Sequence, residues 1–268
     1  MILSDFHCHT TFVDGKHTPE EMVKSAIAKG MHTLGFSEHA YVAFDPSCSL
    51  SKEQTLTYRE EMKRLKEKYD GQIQLLCGIE MDYYSEDDAE AYDYIIGSVH
   101  YLKVNGEVYS VDLSVEETLR CIDQAFHGDR YAYACCYFEH VLKLKKKWNP
   151  NIVGHFDLLT KFSEQGIPFD FHNNAYQQAA VDAVDGLKDC VFEVNTGAVS
   201  RGYRLEPYPA MPWLQEIKRQ GASVILSSDS HHKDTLLYDF EKTFSMVQSL
   251  GFLGGGFTDQ QGKYHKQF

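Results

Sequence analysis

The stretch DFHCHTTFVDG, residues 5–15, sets two histidines either side of a cysteine, with an aspartate near each end. In an extended segment successive side chains alternate, so His7 and His9 share a face with Asp5 while Cys8 points the other way. The same spacing recurs late in the chain, where Asp229 and His231 stand in SSDSH. Between them lie His39 in GFSEH, Glu80 in GIEMDY, His100 in IIGSVH and His155 in VGHFD, with Asp14 just beyond the first pair. Imidazole and carboxylate in this mixture suit zinc, manganese or iron, whereas an all-oxygen shell would suit magnesium or calcium. Glu80 sits among apolar neighbours, where an unpaired carboxylate is costly, and this too favours a metal.

Residues so far apart need a scaffold to bring them together. The chain reads as alternating strands and helices. After the first strand, Thr18 caps a helix with Pro19 in its first turn, Glu20 and Glu21 at its positive end and Gly30 as its stop. TLGFSEH is the second strand, followed by a long charged helix over 51–69. QIQLLCGIEMDYY and YIIGSVHYL are the third and fourth strands, and VNGEV after the fourth predicts a hairpin turned at Asn105-Gly106. Two helices span about 114–147, and NIVGHFD, VFEVNTG and SVILSSDSH supply three further strands, with helical stretches around 172–185 and 210–220. About seven parallel strands with no glycine-rich dinucleotide fingerprint predict an α/β barrel, one domain over 1–268, rather than an open sheet. Chemistry in such barrels gathers at the carboxyl ends of strands. His7, His9, His39, Glu80, His100, His155, Asp229 and His231 all fall late in a strand or at its end.

A length of 268 residues, 43% hydrophobic and 24% charged, fits a globular chain with a sizeable core. The net charge of −13 argues against a long nucleic acid partner, which requires a basic surface. Seven scattered cysteines, mostly within apolar runs, read as reduced thiols in the cytoplasm rather than a secreted disulfide framework. The start has no basic-then-apolar signal pattern, and no run is long enough to span a bilayer. The tail GGGFTDQQGKYHKQF, about 254–268, reads as loosely ordered or strand-swapped.

DFHCHT, SEH, GIEMDY, IIGSVHYL, VGHFD, NTGA and SSDSH, in that order over nearly the whole chain, resemble the polymerase and histidinol phosphatase superfamily. YDYIIGSVHYL with GIEMDY is most similar to its histidinol-phosphate phosphatase branch. The resemblance implies a distorted (β/α)7 TIM-like barrel holding three divalent metal ions, zinc, manganese or iron. It implies that His7, His9 and Asp229 bind the first, that Glu80 bridges it to a second completed by His100 and His155, and that Asp14, His39 and His231 hold the third. Asp5 is expected to orient a ligand histidine.

Three carboxylates against three divalent ions leave such a site at roughly +3, attractive to a phosphate ester of about two negative charges. The expected chemistry is hydrolysis of a phosphomonoester by metal-activated hydroxide, with no phospho-enzyme. Cys8 is not expected to be the nucleophile, because it faces away and no phosphate loop follows it. Arg201, in NTGAVSRGYR, and Lys161, after GHFDLLT, are the expected phosphate-binding cations, with Arg204 able to substitute for Arg201. The branch carries arginines at about these two positions, and a lysine at 161 keeps the charge but loses the planar fork.

The resemblance points to L-histidinol phosphate as the small phosphorylated substrate. Its cationic half would suit acidic and aromatic groups at the mouth, for which Tyr41 and Asp45 in EHAYVAFD are candidates, and His17, in the loop of Asp14, could also contact substrate. Two other readings are a phosphoesterase of nucleotides or oligonucleotides and a noncatalytic metal-binding module. The complete ligand set counts against the second.

Overall fold

The computed structural model describes residues 3–268, and its central element is a parallel seven-stranded sheet curled into a barrel. The staves, in sheet order, are β1 (Ser4–Asp5), β2 (Thr33–Phe36), β3 (Gln74–Asp82), β4 (Tyr94–Ser98), β7 (Ile152–Val153), β8 (Val191–Asn195) and β9 (Ser223–Ser227). The intervening β5 (Tyr101–Val104) and β6 (Glu107–Ser110) form an antiparallel hairpin outside the barrel. Asn105 and Gly106 both have positive φ at its turn, as the Asn-Gly pair predicts. Around the barrel run α1 (Pro19–Ala28), α2 (Lys52–Lys68), α3 (Val115–Phe126), α4 (Arg130–Lys147), α5 (Asn174–Leu187), the single turn α6 (Gly197–Ser200), α7 (Met211–Arg219) and α8 (Phe240–Ser249). The distorted (β/α)7 architecture is therefore present.

Local chemistry accounts for the helix starts. Thr18 and Glu21 form a reciprocal capping box ahead of α1, and Ser51 and Gln54 do the same for α2. Thr55, Tyr58, Met62 and Leu65 recur along one side of α2 and are the residues it buries. Inside the barrel, Phe6, Leu76, Tyr94, Ile96, Ile152, Ile225 and Phe257 pack as one cluster. Gly78 leaves the room that the Tyr94 ring occupies, since a Cβ there would collide with the ring. The Tyr94 hydroxyl reaches the carbonyls of Phe6 and Phe36 at 2.5 and 3.1 Å, tying the first two staves to the fourth.

The first stave is shorter than the sequence suggests. Its ladder to β2 covers only Ser4 and Asp5, while residues 7–9 join Ser37, just past β2, to the segment after β9 and close the barrel at its carboxyl rim, Ser37 N donating to Cys8 O at 3.1 Å. There Cys8 bridges Ser230, with His9 N donating to Ser230 O at 2.9 Å and Ser230 N to His7 O at 3.2 Å. The alternation still holds: Cys8 is buried among outer core residues and its thiol donates to Gly35 O.

The expectation of a loose tail is overturned. Residues 254–268 form a hairpin of β10 (Gly256–Thr258) and β11 (Tyr264–Lys266) that inserts Phe257 into the barrel interior. The glycines serve close approach, not looseness, since a Cβ at Gly255 would strike Val224 O and the Phe268 ring. Buried Gln267 then fills the gap between the first and last staves. Its side chain donates to Ser4 O and Leu226 O at 2.7 and 2.6 Å and accepts from Leu226 N at 2.6 Å. No helix among the described residues is long and apolar enough to cross a membrane.

Candidate active site

The carboxyl rim gathers all nine expected ligand residues. Glu80, on β3, is central and fully buried: His155 Nε2 and His100 Nε2 lie 3.0 and 3.4 Å from Oε1, and His39 Nδ1, His7 Nε2 and His9 Nε2 lie 2.9, 3.4 and 3.6 Å from Oε2. Asp229 Oδ1 faces His9 Nε2 at 3.4 Å and His7 Nε2 at 3.7 Å. Asp14 reaches back from the first loop to His231 Nε2 at 3.1 Å and His39 Nε2 at 3.8 Å. Three overlapping groups have ligand atoms mutually close enough to share a cation: His7, His9 and Asp229; His39, Glu80 and His100; and His9, Asp14, His39 and His231.

The donors fit a metal on two observations. His7 Nε2, both ring nitrogens of His9, Glu80 Oε2 and His155 Nδ1 are buried without a hydrogen-bond partner, an expensive state unless something else is bound. The charges agree with this. Burial alone would raise the Glu80 carboxyl, but His7, His100 and His39 outweigh it and hold it well below the usual range. Burial likewise opposes ionisation of Asp229, and Arg201 with His7 overcomes it. His9 is pushed down to about 3 by burial and by His231 and His39, leaving a neutral imidazole with a free lone pair. Burial lowers His39, yet Glu80 and Asp14 carry it to about 10. Imidazolium protons thus balance these carboxylates, and metal binding would release them.

Sequence reasoning missed the residue that fixes this arrangement. Glu193, on β8, accepts from His7 Nδ1 (2.8 Å), His155 N (2.6 Å), Asn195 Nδ2 (2.7 Å) and Ser227 Oγ (2.6 Å). A lone carboxylate on the inward face of an apolar strand was the available signal. Asp5, expected to orient a histidine ring, instead accepts from the backbone of Ser228 and the Ser228 hydroxyl and helps hold the barrel seam.

A cavity of about 230 Å³ opens on the cluster and is lined by Arg201, Lys161, Tyr208 and the ligand residues. Arg201 donates to Asp229 O (2.7 Å) and Asp229 Oδ2 (3.1 Å), while Lys161 donates to Asp112 O (2.8 Å) and Asp112 Oδ2 (3.1 Å). A second cavity of about 260 Å³ shares Glu80, His100, Asp112 and Lys161 with the first and adds Asp45 and Tyr101. The Tyr101 hydroxyl donates to Asp45 Oδ2 at 2.7 Å.

Three expected substrate contacts lie elsewhere. Tyr41 faces an outer groove beside α2, with Lys52 Nζ 5.0 Å from its ring. His17 packs edge-on against His232. Arg204 is buried behind the cavity, where it donates to Thr160 Oγ1 and covers the Tyr208 ring. The cause is the same each time: loop residues follow no periodicity from which a facing direction can be read.

The PHP domain profile matches residues 5–197. The chain belongs to the PHP domain family. It is 28% identical over 250 residues to "Probable histidinol-phosphatase" of Schizosaccharomyces pombe, covering 84% of this chain and 79% of that protein. It is 24% identical over 263 residues to the histidinol-phosphatase of Bacillus subtilis, covering 88% and 96% respectively. The crystal structure of a Lactococcus lactis histidinol phosphate phosphatase complexed with zinc, L-histidinol and phosphate superposes with a TM-score of 0.75 at 21% identity, over 99% of both chains. That superposition confirms the PHP fold.

Proposed function

We propose that this PHP-domain protein, taken as one domain over 1–268, is a metal-dependent phosphomonoesterase that hydrolyses L-histidinol phosphate to L-histidinol and inorganic phosphate in histidine biosynthesis. The observation that carries the reading is the convergence of nine imidazoles and carboxylates, five of their buried atoms unpartnered, beside a cavity with two cationic side chains. The names of the curated relatives supply the substrate.

In this reading His7, His9 and Asp229, then Glu80, His100 and His155, and then Asp14, His39 and His231 would hold three cations, zinc, manganese or iron, and Glu80 would serve both of the first two. Divalent cations in such a cradle supply Lewis acidity and lower the pKa of water toward about 7. Arg201 then meets the phosphoryl charge with a planar fork, and Lys161, directly after residues 158–160, contributes a second positive charge in the same cavity. Burial of Glu80, His7 and His9 excludes bulk water and strengthens these interactions. The adjoining cavity with Asp45, Asp112 and Tyr101 would take the cationic half of the substrate. The free thiols of all seven cysteines support a reducing, cytoplasmic setting.

The test is phosphate release from a panel of L-histidinol phosphate, nucleoside monophosphates and an aryl phosphate by protein loaded with zinc or manganese. Preference for histidinol phosphate by orders of magnitude is expected. A nucleotide preference would move the assignment to another substrate, and silence throughout would indicate a noncatalytic metal-binding module.

A further inference from the structure

Tyr208 stands between α6 and α7, fixed to the carboxyl end of β8 by paired backbone hydrogen bonds with Asn195: Asn195 N to Tyr208 O at 2.7 Å and Tyr208 N to Asn195 O at 3.0 Å. It lines the same cavity as Arg201 and Lys161, although its side chain is nearly inaccessible. Its hydroxyl has no hydrogen-bond partner among the described residues. Buried hydroxyls in native proteins are rarely left this way.

The ring is packed against its neighbours. The Arg204 guanidinium lies 4.7 Å from its centroid, the His155 ring packs against it at 6.3 Å, and Arg204 is itself held by Thr160 and lies 4.0 Å from Asp157. The tyrosine O–H is a hydrogen-bond donor, and it belongs to a residue that lines the cavity together with Arg201 and Lys161. A donor without an acceptor, on the wall that also carries two cations, is complementary to an anion rich in acceptor oxygens.

We propose that the Tyr208 hydroxyl donates a hydrogen bond to a phosphoryl oxygen of the bound substrate, making it a third phosphate contact beside Arg201 and Lys161. This rests on the phosphomonoesterase reading. Arg204 is then a positioning residue, holding the Tyr208 ring and the turn that presents Lys161.

The test is calorimetric titration of inorganic phosphate into zinc-loaded wild type, Tyr208→Phe and Tyr176→Phe, together with melting temperatures and histidinol phosphate kinetics. Tyr176 is another fully buried tyrosine whose hydroxyl also lacks a partner, but it lies outside the cavity lining and serves as control. Tyr208→Phe is expected to weaken phosphate binding and lower kcat/KM by about tenfold or more, with an unchanged melting temperature, while Tyr176→Phe binds phosphate as wild type does. Unchanged phosphate affinity in Tyr208→Phe, or equal weakening in both variants, overturns the proposal. If wild type binds phosphate without hydrolysing histidinol phosphate, the substrate reading fails and the Tyr208 comparison still decides its own question. If wild type hydrolyses the ester and Tyr208→Phe matches it throughout, the Tyr208 proposal alone fails.

Discussion

His7 Nδ1 lies 2.8 Å from Glu193 Oε2, with both side chains wholly buried, so one ring nitrogen is fixed by a carboxylate while Nε2 points at Glu80 and Asp229. That hydrogen bond sets the tautomer and raises the basicity of the free nitrogen. Glu193→Gln keeps the shape and removes the charge. Metal affinity, measured by competition with a chromogenic chelator, is expected to fall about 10- to 100-fold with the fold intact by circular dichroism. Unchanged affinity would remove Glu193 from the site.

Arg201 spans Asp229 and the cavity, and its fork is the planar cationic group there. Arg201→Ala is expected to raise KM and to lower kcat by about a hundredfold, with Arg201→Lys recovering part of the loss. Phosphatase kinetics indistinguishable from wild type would contradict this role.

Asp45 and Tyr41 entered the sequence reading as equals, and the structure separates them. Asp45, held by Tyr101, borders the second cavity, whereas Tyr41 turns outward to Lys52. Asp45→Ala should lower kcat/KM for histidinol phosphate by about tenfold without changing that for an aryl phosphate, and Tyr41→Ala should change neither. Equal effects of Asp45→Ala on both substrates would show that Asp45 does not read the cationic half.

How much of this was legible follows from periodicity. The two-residue repeat gave His7 and His9 a common face, and the position of every ligand except Asp14 late in a strand or just past it is a property of the barrel that ordered motifs reveal. Glu193 obeys the same alternation on β8, but its neighbours are apolar and no second metal-capable residue marks the strand. Asp112 lies in a loop beyond the hairpin, so nothing in its spacing foretold that it would meet Lys161. The tail failed for a different reason. Glycines mark both flexibility and tight approach, and only the position of Val224 and Phe268 tells which applies at Gly255.

Asp112 also gives the protein an acid-side signature. Burial would raise its carboxyl, but Lys161 and His100 outweigh it and bring it to about 2, below the ordinary 3.8. A depressed folded pKa contributes stability above the unfolded value, and that contribution is lost as pH falls from about 4 through about 2. In urea titrations of chelator-treated protein, Asp112→Asn should therefore be less stable than wild type by about 1–2 kcal/mol at pH 6, with the gap closing toward pH 2.5. A gap that is constant across this range would exclude the ion pair as its cause.

The central claim is that residues from six of the seven staves and the first loop hold a cluster of cations at the barrel rim, and elemental analysis of the purified chain tests it most directly. After dialysis against metal-free buffer, wild type is expected to retain zinc, manganese or iron at up to three ions per chain, and Glu80→Ala, which removes the shared carboxylate, is expected to lose at least two of them together. Wild-type protein with no bound transition metal after reconstitution, or a Glu80→Ala variant with an undiminished complement, would contradict the account.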